Sequence, residues 1–351
     1  MPDTSPPPLE YHIYDPERQE IRVVVIEPPK RRYWLHVLLF LATIFTTLCI
    51  GARLQYNFDH NLPAFSSDIS HDLDYWPWAW ALQDWHRLLL GIPFSACLLG
   101  ILTAHEFGHY VFCVKRKVFA TLPFFIPAPT LIGTMGAFIR IRSPIRSRSD
   151  LFDIGIAGPI AGFLVAVPVL FFSLLHAKPL TQLSGQTDIT FGMPLIFSLA
   201  HRLLAAFGNP LATQFRLHDL YLPPTGVAAW FGMFATALNL LPGGQLDGGH
   251  IIYAVNPRSH RTISLISVLA LLPLAWYFWI GWLLWAVVLR MTGSRHPQVP
   301  LAPGLGRKRL LLAAFGILML VLTLTPSPLP GSGIPEVLKS YHEQATQAPS
   351  K

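Results

Sequence analysis

Apolar positions along the chain gather into charge-free runs of about twenty residues, not into the short periodic stripes of a water-soluble fold. Residues 33–52 form the first run, and Lys30, Arg31 and Arg32 precede it, so the chain is expected to start in the cytoplasm and to cross outward here. Residues 88–114 return inward to Lys115, Arg116 and Lys117, and the following loop carries Arg140, Arg142, Arg146 and Arg148. Residues 154–177 form a third span whose Gly155, Gly158, Pro159 and Gly162 make a small-residue face suited to close helix packing. Residues 225–241 form a short fourth span stopped by Pro242, Gly243 and Gly244. Both flanks of 262–289 are basic, which predicts two short helices broken near Pro273, with one long tilted helix as the rival. Residues 310–324 close the series, so the expected fold is an all-α polytopic membrane protein of about seven transmembrane helices.

The intervals follow from the same pattern. Residues 1–30 hold seven prolines and read as a mostly disordered cytoplasmic tail, although Ile21 to Ile26 has the composition of a strand. Neither a cleavable secretory signal nor a transit peptide is read in this start. Residues 53–87, with Asp59, Asp68, Asp72, Asp74 and Asp84 beside Trp76, Trp78, Trp80 and Trp85, suit an external loop touching the membrane interface. The apolar stretch 191–207 carries His201 and Arg202 and reads as an interfacial or re-entrant segment. Residues 31–325 are then one transmembrane domain with its core at 88–255, and 326–351 a polar tail.

Composition sharpens this picture. Hydrophobic residues make up 52% of the chain and charged residues 13%, against an ordinary charged share of roughly 25%. The net charge of +7 is accounted for by cytoplasmic loops, so no nucleic-acid partner is inferred. Cys49, Cys97 and Cys113 lie in or beside apolar runs, with no spacing for a disulfide framework or a cysteine zinc site.

Chemistry enters in the second span, at His105-Glu106-Phe107-Gly108-His109. Histidines four apart share a helix face and can hold one zinc ion, with Glu106 placed as general base. Glu106 is also the single formal charge between residues 88 and 114, and an unpaired carboxylate at membrane depth costs roughly 2.5–3.5 kcal/mol. A catalytic zinc needs a third protein donor. Asp247 is the single carboxylate between Asp219 and Glu336, and follows the Pro-Gly-Gly break of the inward-running fourth span at matching depth. If 191–207 crossed the membrane, Asp247 would fall on the wrong side, so the ligand set requires the interfacial reading. His250, three residues on, is read as a partner that orients Asp247. His36, His176 and His296 are read as interfacial. Alternation of Ala137, Ile139 and Ile141 with Phe138, Arg140 and Arg142, after Gly133 and Gly136, predicts a strand whose edge could accept an extended peptide.

His-Glu-x-x-His in a membrane helix, followed by Asn239-Leu240-Leu241-Pro242 and Asp247-Gly248, resembles the site-2 protease family of zinc intramembrane proteases. The resemblance implies zinc on His105, His109 and Asp247, Glu106 as base, and Asn239 as a substrate-positioning residue. It also implies a re-entrant β-hairpin at 133–142, whose Gly136, Ala137, Phe138 and Ile139 would line the substrate, and a Gly-Pro helix start at 152–159. The external interval 178–224 is too short for a PDZ domain, so a PDZ-free subgroup is indicated. The expected activity is hydrolysis of a peptide bond in or near a transmembrane segment of a protein substrate, in a multi-pass protein of the cell inner membrane. The rival is a transporter or channel with an intramembrane ion site, which would need internal repeats or several acids along a route.

Overall fold

The structure is a computed structural model that describes residues 9–15, 20–26, 33–65, 77–183, 189–292, 299 and 304–347. Asp68, Asp72, Asp74, Trp76, Arg295 and His296 lie outside the described residues.

Where a disordered tail was expected, strands β1 (Leu9–Asp15) and β2 (Glu20–Ile26) pair antiparallel, Leu9 opposite Ile26 and His12 opposite Val23. The β-branched run of β2 favours extended backbone enough to outweigh the surrounding prolines. Helix α1 (Tyr33–Asp59) follows, then the short helices α2 (Trp78–Gln83) and α3 (Arg87–Leu90), and α4 (Ile92–Lys115), which carries the His-Glu-x-x-His segment. Trp80 of α2 lies between the guanidinium groups of Arg53 and Arg87, at 5.0 and 4.7 Å from its ring centre. That stacking fixes the short helices against the end of α1.

Strands β3 (Phe124–Pro127) and β4 (Thr134–Phe138) form a hairpin turned at Gly133, whose φ of 78° suits glycine. Alternation persists beyond β4, with Phe138, Arg140 and Arg142 exposed and Ile139 and Ile141 half-buried. The regular ladder nevertheless ends at Phe138, because the Arg140 N–H donates to Thr121 Oγ1. One bridge, Ala120 to Ile141, resumes it. Helix α1 holds the hairpin through Thr46 Oγ1 to the Gly133 carbonyl at 2.5 Å and His36 Nδ1 to the Pro123 carbonyl at 3.1 Å. His36 is thus a fastening of the hairpin as well as a residue near the start of α1.

Helix α5 (Arg148–Leu175) begins earlier than the Gly-Pro segment suggested. Ser147 caps it by accepting the Asp150 N–H, so Pro159 lies inside the helix. Strands β5 (Lys178–Pro179) and β6 (Leu220–Tyr221) pair across an interval holding α6 (Leu195–Ala206) and α7 (Pro210–Gln214). At 12 residues α6 reaches about 18 Å, short of the ~30 Å hydrocarbon layer. Its Leu195, Leu199 and Leu203 form an exposed stripe while Phe197 and Ala200 are buried, the division of a helix lying along an apolar surface.

Helix α8 (Pro224–Asn239) is almost wholly buried at the centre, and α9 (Asp247–Val255) follows the break. Helices α10 (Pro257–Tyr277) and α11 (Gly281–Met291) divide the next run in two. The division falls at 278–280, not near Pro273, which α10 absorbs within its last turns. Helices α12 (Arg307–Thr323) and α13 (Ile334–Gln347) complete the chain. Among the described residues, four helices are long and apolar enough to cross a membrane: α1, α4, α5 and α10.

Packing around α4 sets helix directions. Gly108 and Gly158 bring α4 and α5 together in antiparallel fashion, since Gly108 abuts Ala157, Gly158 abuts His109 and Gly162 abuts His105. Helix α8 runs parallel to α4, because Gly232 packs on Ile101 while Asn239, two turns on, reaches His105.

Candidate metal centre

His105 and His109 lie one turn apart on the buried face of α4, each about 5% exposed (4% and 6%). Their orientation is imposed by α5. The His109 Nδ1 lies 2.7 Å from the Ile154 carbonyl, which accepts its proton and leaves the Nε2 lone pair facing inward. A Cβ on Gly158 would overlap the His109 imidazole, and one on Gly162 would press His105 from 3.2 Å. The small-residue face read as helix packing therefore makes room for two imidazoles.

Asp247 is carried in by the break after α8. Gly244 takes a φ of 58°, and a Cβ on Gly248 would strike the Leu240 and Leu241 carbonyls. Only glycine lets α9 fold back so tightly, with Asp247 as its first residue. Helix α10 satisfies the freed backbone groups: Ser264 Oγ accepts the Gly244 N–H, Ser267 Oγ donates to the Pro242 carbonyl at 2.8 Å, and His260 Nε2 lies 3.1 Å from the Gly244 carbonyl. This support makes a broken helix tolerable at membrane depth. His260 lies in the basic flank before residue 262 and was not anticipated here; a serine pair at positions 264 and 267, one turn apart and beyond a Pro-Gly-Gly break, was the available signal.

The three donors meet. His105 Nε2 and His109 Nε2 are 3.2 Å apart, and Asp247 Oδ2 lies 3.2 and 3.3 Å from them. Among the described residues this is the one cluster of at least three such donors drawn close enough to share an ion. For bonds of 2.0–2.1 Å at tetrahedral angles, ligand atoms stand roughly 3.3 Å apart, so the donor set fits a small divalent cation. Two imidazole lone pairs and a carboxylate facing each other in a buried site also repel unless a cation lies among them.

Glu106, 6% exposed, shares a cavity of about 160 Å³ with His105, Gly136, Ala137, Asn239 and Trp285. The backbone N–H of Ile139 faces its carboxylate, which brings the chain just after β4 to the site. Asn239 Nδ2 lies 3.3 Å from His105 Nε2. Gly136 has a φ of 99° with open space where a Cβ would stand, so its backbone conformation, not crowding, calls for glycine. Phe138 is 47% exposed and points away from the packed face. His250 packs on Gly155 one turn beyond Asp247. Trp285 reaches the cavity from α11 and was not anticipated. Nor was the clamp on Asp153: Arg309 of α12 binds its carboxylate through Nε and Nη2 at 2.7 and 2.8 Å, and Arg116, just after α4, binds its Oδ2 as well.

The sequence model of Peptidase family M50 matches residues 93–274, just over half of the chain, including His105, Glu106, His109, Asn239 and Asp247. The chain belongs to Peptidase family M50, that of the site-2 proteases. It is 32% identical over 242 residues to the probable zinc metalloprotease EGY1, chloroplastic, of Arabidopsis thaliana, covering 66% of this chain and 42% of the relative. It is 28% identical over 206 residues to the probable zinc metalloprotease EGY2, chloroplastic, of the same plant, covering 58% of this chain and 34% of the relative. The chain thus spans less than half the length of these curated relatives. No solved structure matches it. The family and the membrane-length helices together make it an integral membrane protein.

Proposed function

We propose that this M50 member is a zinc-dependent endopeptidase that cuts a peptide bond within or beside a transmembrane segment of another membrane protein. The observation that carries this reading is the convergence of His105, His109 and Asp247 to within 3.2–3.3 Å of one another beside Glu106. Zinc held there would polarise a peptide carbonyl and lower the pKa of a coordinated water toward ~7. His105 and His109 would donate through Nε2 and Asp247 through its carboxylate, with the Ile154 carbonyl holding His109 in the required tautomer. Glu106 would take the proton from the attacking water and return it to the leaving nitrogen.

An intact helix hides its carbonyls in internal hydrogen bonds, so a substrate must be drawn out before it can be cut. The backbone of residues 136–139 runs along the cavity beside Glu106, where an extended segment could pair on the side away from β3 although the Gly136 N–H is held by Thr134 Oγ1, and Asn239 stands across the cavity to hold its carbonyl. The parallel course of α4 and α8 supports a topology in which both run inward, with α6 lying at the external surface. Adding α8 and α12 to the four long helices would make six spans over a protease domain at 31–325 with a cytoplasmic N-terminus, since α11 at 11 residues is no longer than α6.

The test is a single-span reporter in detergent or liposomes. Wild-type protein should cut it, and Glu106→Gln should keep its zinc while losing at least 100-fold in rate. Undiminished cutting by Glu106→Gln, or a wild-type protein that carries no zinc, would overturn the proposal. A transporter or channel would leave the reporter whole.

A further inference from the structure

Helix α8 leaves one stripe incompletely covered: Phe231, Ala235 and Asn239 are half-buried while their neighbours are buried. Ala235 and Asn239 both line the cavity that holds Glu106. Helix α4 repeats the arrangement, since Ile101 and Leu102 line the same cavity one turn before His105 and Glu106. Because α4 and α8 run parallel, the polar groups lie toward the C-terminal ends of both helices and the apolar wall lies one turn, about 5.4 Å, toward their N-terminal ends. Leu238 and the indole of Trp285 also line the cavity. The hydroxyl of Thr236, which also lines it, is occupied in donating to the Gly232 carbonyl at 3.0 Å. Apart from the catalytic groups, the cavity offers a polar guest only the Thr236 hydroxyl oxygen as acceptor and the Trp285 indole N–H as donor, and no charged partner.

We propose that this apolar end is the side-chain subsite for one residue flanking the cut bond, that it selects leucine- or phenylalanine-sized apolar side chains, and that Ala235 and Trp285 set its size. The subsite rests on the endopeptidase reading above. A strand paired along residues 136–139 turns alternate side chains to opposite faces, so a residue whose carbonyl lies at Glu106 has a neighbour facing this wall. The whole cavity, catalytic end included, has a volume of about 160 Å³, and a cavity of ~150 Å³ accepts a benzene ring, so one leucine- or phenylalanine-sized side chain is the most its apolar end can take. Alanine there would leave most of the space empty, and a carboxylate would be stripped of water without a charged partner. Gly232 does not set the size: its missing Cβ is taken up by Ile101, so any larger residue disturbs the packing of α4 on α8 before it narrows the pocket.

In the experiment the cut in a single-span reporter is located by mass spectrometry, and each residue flanking it is changed to Ala, Leu, Phe, Trp or Asp. At one of the two positions wild-type protein should favour Leu and Phe over Ala and Asp by roughly 10- to 200-fold in kcat/KM. Ala235→Phe, or the smaller change Ala235→Leu, should reverse that order in favour of Ala, and Trp285→Ala should raise cutting of the Trp reporter at least tenfold. Melting temperature and zinc content identify variants that remain folded. In Glu106→Gln protein, a benzophenone at the selective position should label the peptides containing Ala235 or Trp285. A wild-type protein that cuts but whose preference is unmoved by either substitution, or labelling confined to other helices, overturns the subsite. Should wild-type protein cut none of the reporters, the endopeptidase reading itself fails and the subsite with it.

Discussion

Replacement of Gly158 by alanine isolates the physical basis of the site, because two effects of opposite sign meet there. Alanine is a better helix former than glycine by ~1 kcal/mol in a helix interior, so on propensity alone Gly158→Ala would stabilise α5. The added methyl would overlap Nε2, Cδ2 and Cε1 of His109. The ring cannot swing aside freely, since its Nδ1 is held by the Ile154 carbonyl at 2.7 Å. Either the ring gives up that bond, or α5 moves outward and takes the carbonyl with it. Overpacking of this kind costs ~1–3 kcal/mol, and a disturbed ligand orientation weakens metal binding by roughly 10–100-fold. Overlap should therefore win, with zinc affinity lost by at least tenfold while helix content is kept. Gly162→Ala is the graded comparison: its methyl would stand 3.2 Å from His105 Cβ and 3.3 Å from Nδ1, a misfit of a few tenths of an ångström, and should cost about threefold or less. Gly100→Ala on α4 meets nothing within 4 Å and should be neutral or slightly stabilising. Zinc affinity by competition with a fluorescent chelator, measured beside the melting temperature, reads all three. Equal zinc affinities for the Gly158 and Gly100 variants would refute the claim that helix approach at this point sets His109.

Three further outcomes follow from the geometry. Asp247→Ala should abolish stoichiometric zinc as measured by elemental analysis, because two imidazoles alone leave a tetrahedral site a ligand short. Arg309→Ala should lower stability by ~1–3 kcal/mol, less than for a fully buried pair since the guanidinium is 29% exposed; a double-mutant cycle with Asp153→Asn, read by melting in detergent, should recover most of that as coupling. Gly136→Ala should slow reporter cutting with zinc content unchanged, since a φ of 99° costs a side chain ~1–3 kcal/mol and the strain falls on the substrate edge, not on the ligands.

What the sequence disclosed and what it withheld divide along a physical line. The approach of His105 and His109 on one helix face, beside Glu106, was legible because it depends on helical spacing, which is local. Asp247 was legible because a lone carboxylate after a helix break is costly wherever it lies in the membrane. A strand over 137–142 was visible in alternation, but its partner Phe124–Pro127 was not, and the ladder stops at Phe138 because a threonine hydroxyl competes for the next N–H, a contact no periodicity encodes. Pro273 was expected to break a helix and does not. It lies four residues before the end of α10, whose chain breaks instead where Trp279 and Trp282 turn onto one another at 5.5 Å. Arg309, Trp285 and His260 were hidden for a different reason: each acts across more than one helix, and a positive charge, an aromatic ring or a histidine at a membrane edge has an ordinary interfacial explanation until its partner is known. The same reasoning separates the glycines of α5. A Gly-x-x-x-Gly pair signals close approach but not what approaches, and here the guest is an imidazole as much as a helix. If that is right, the tolerance of each glycine to alanine should follow its distance to a histidine ring, with Gly158 the least tolerant, and not its position along the helix contact.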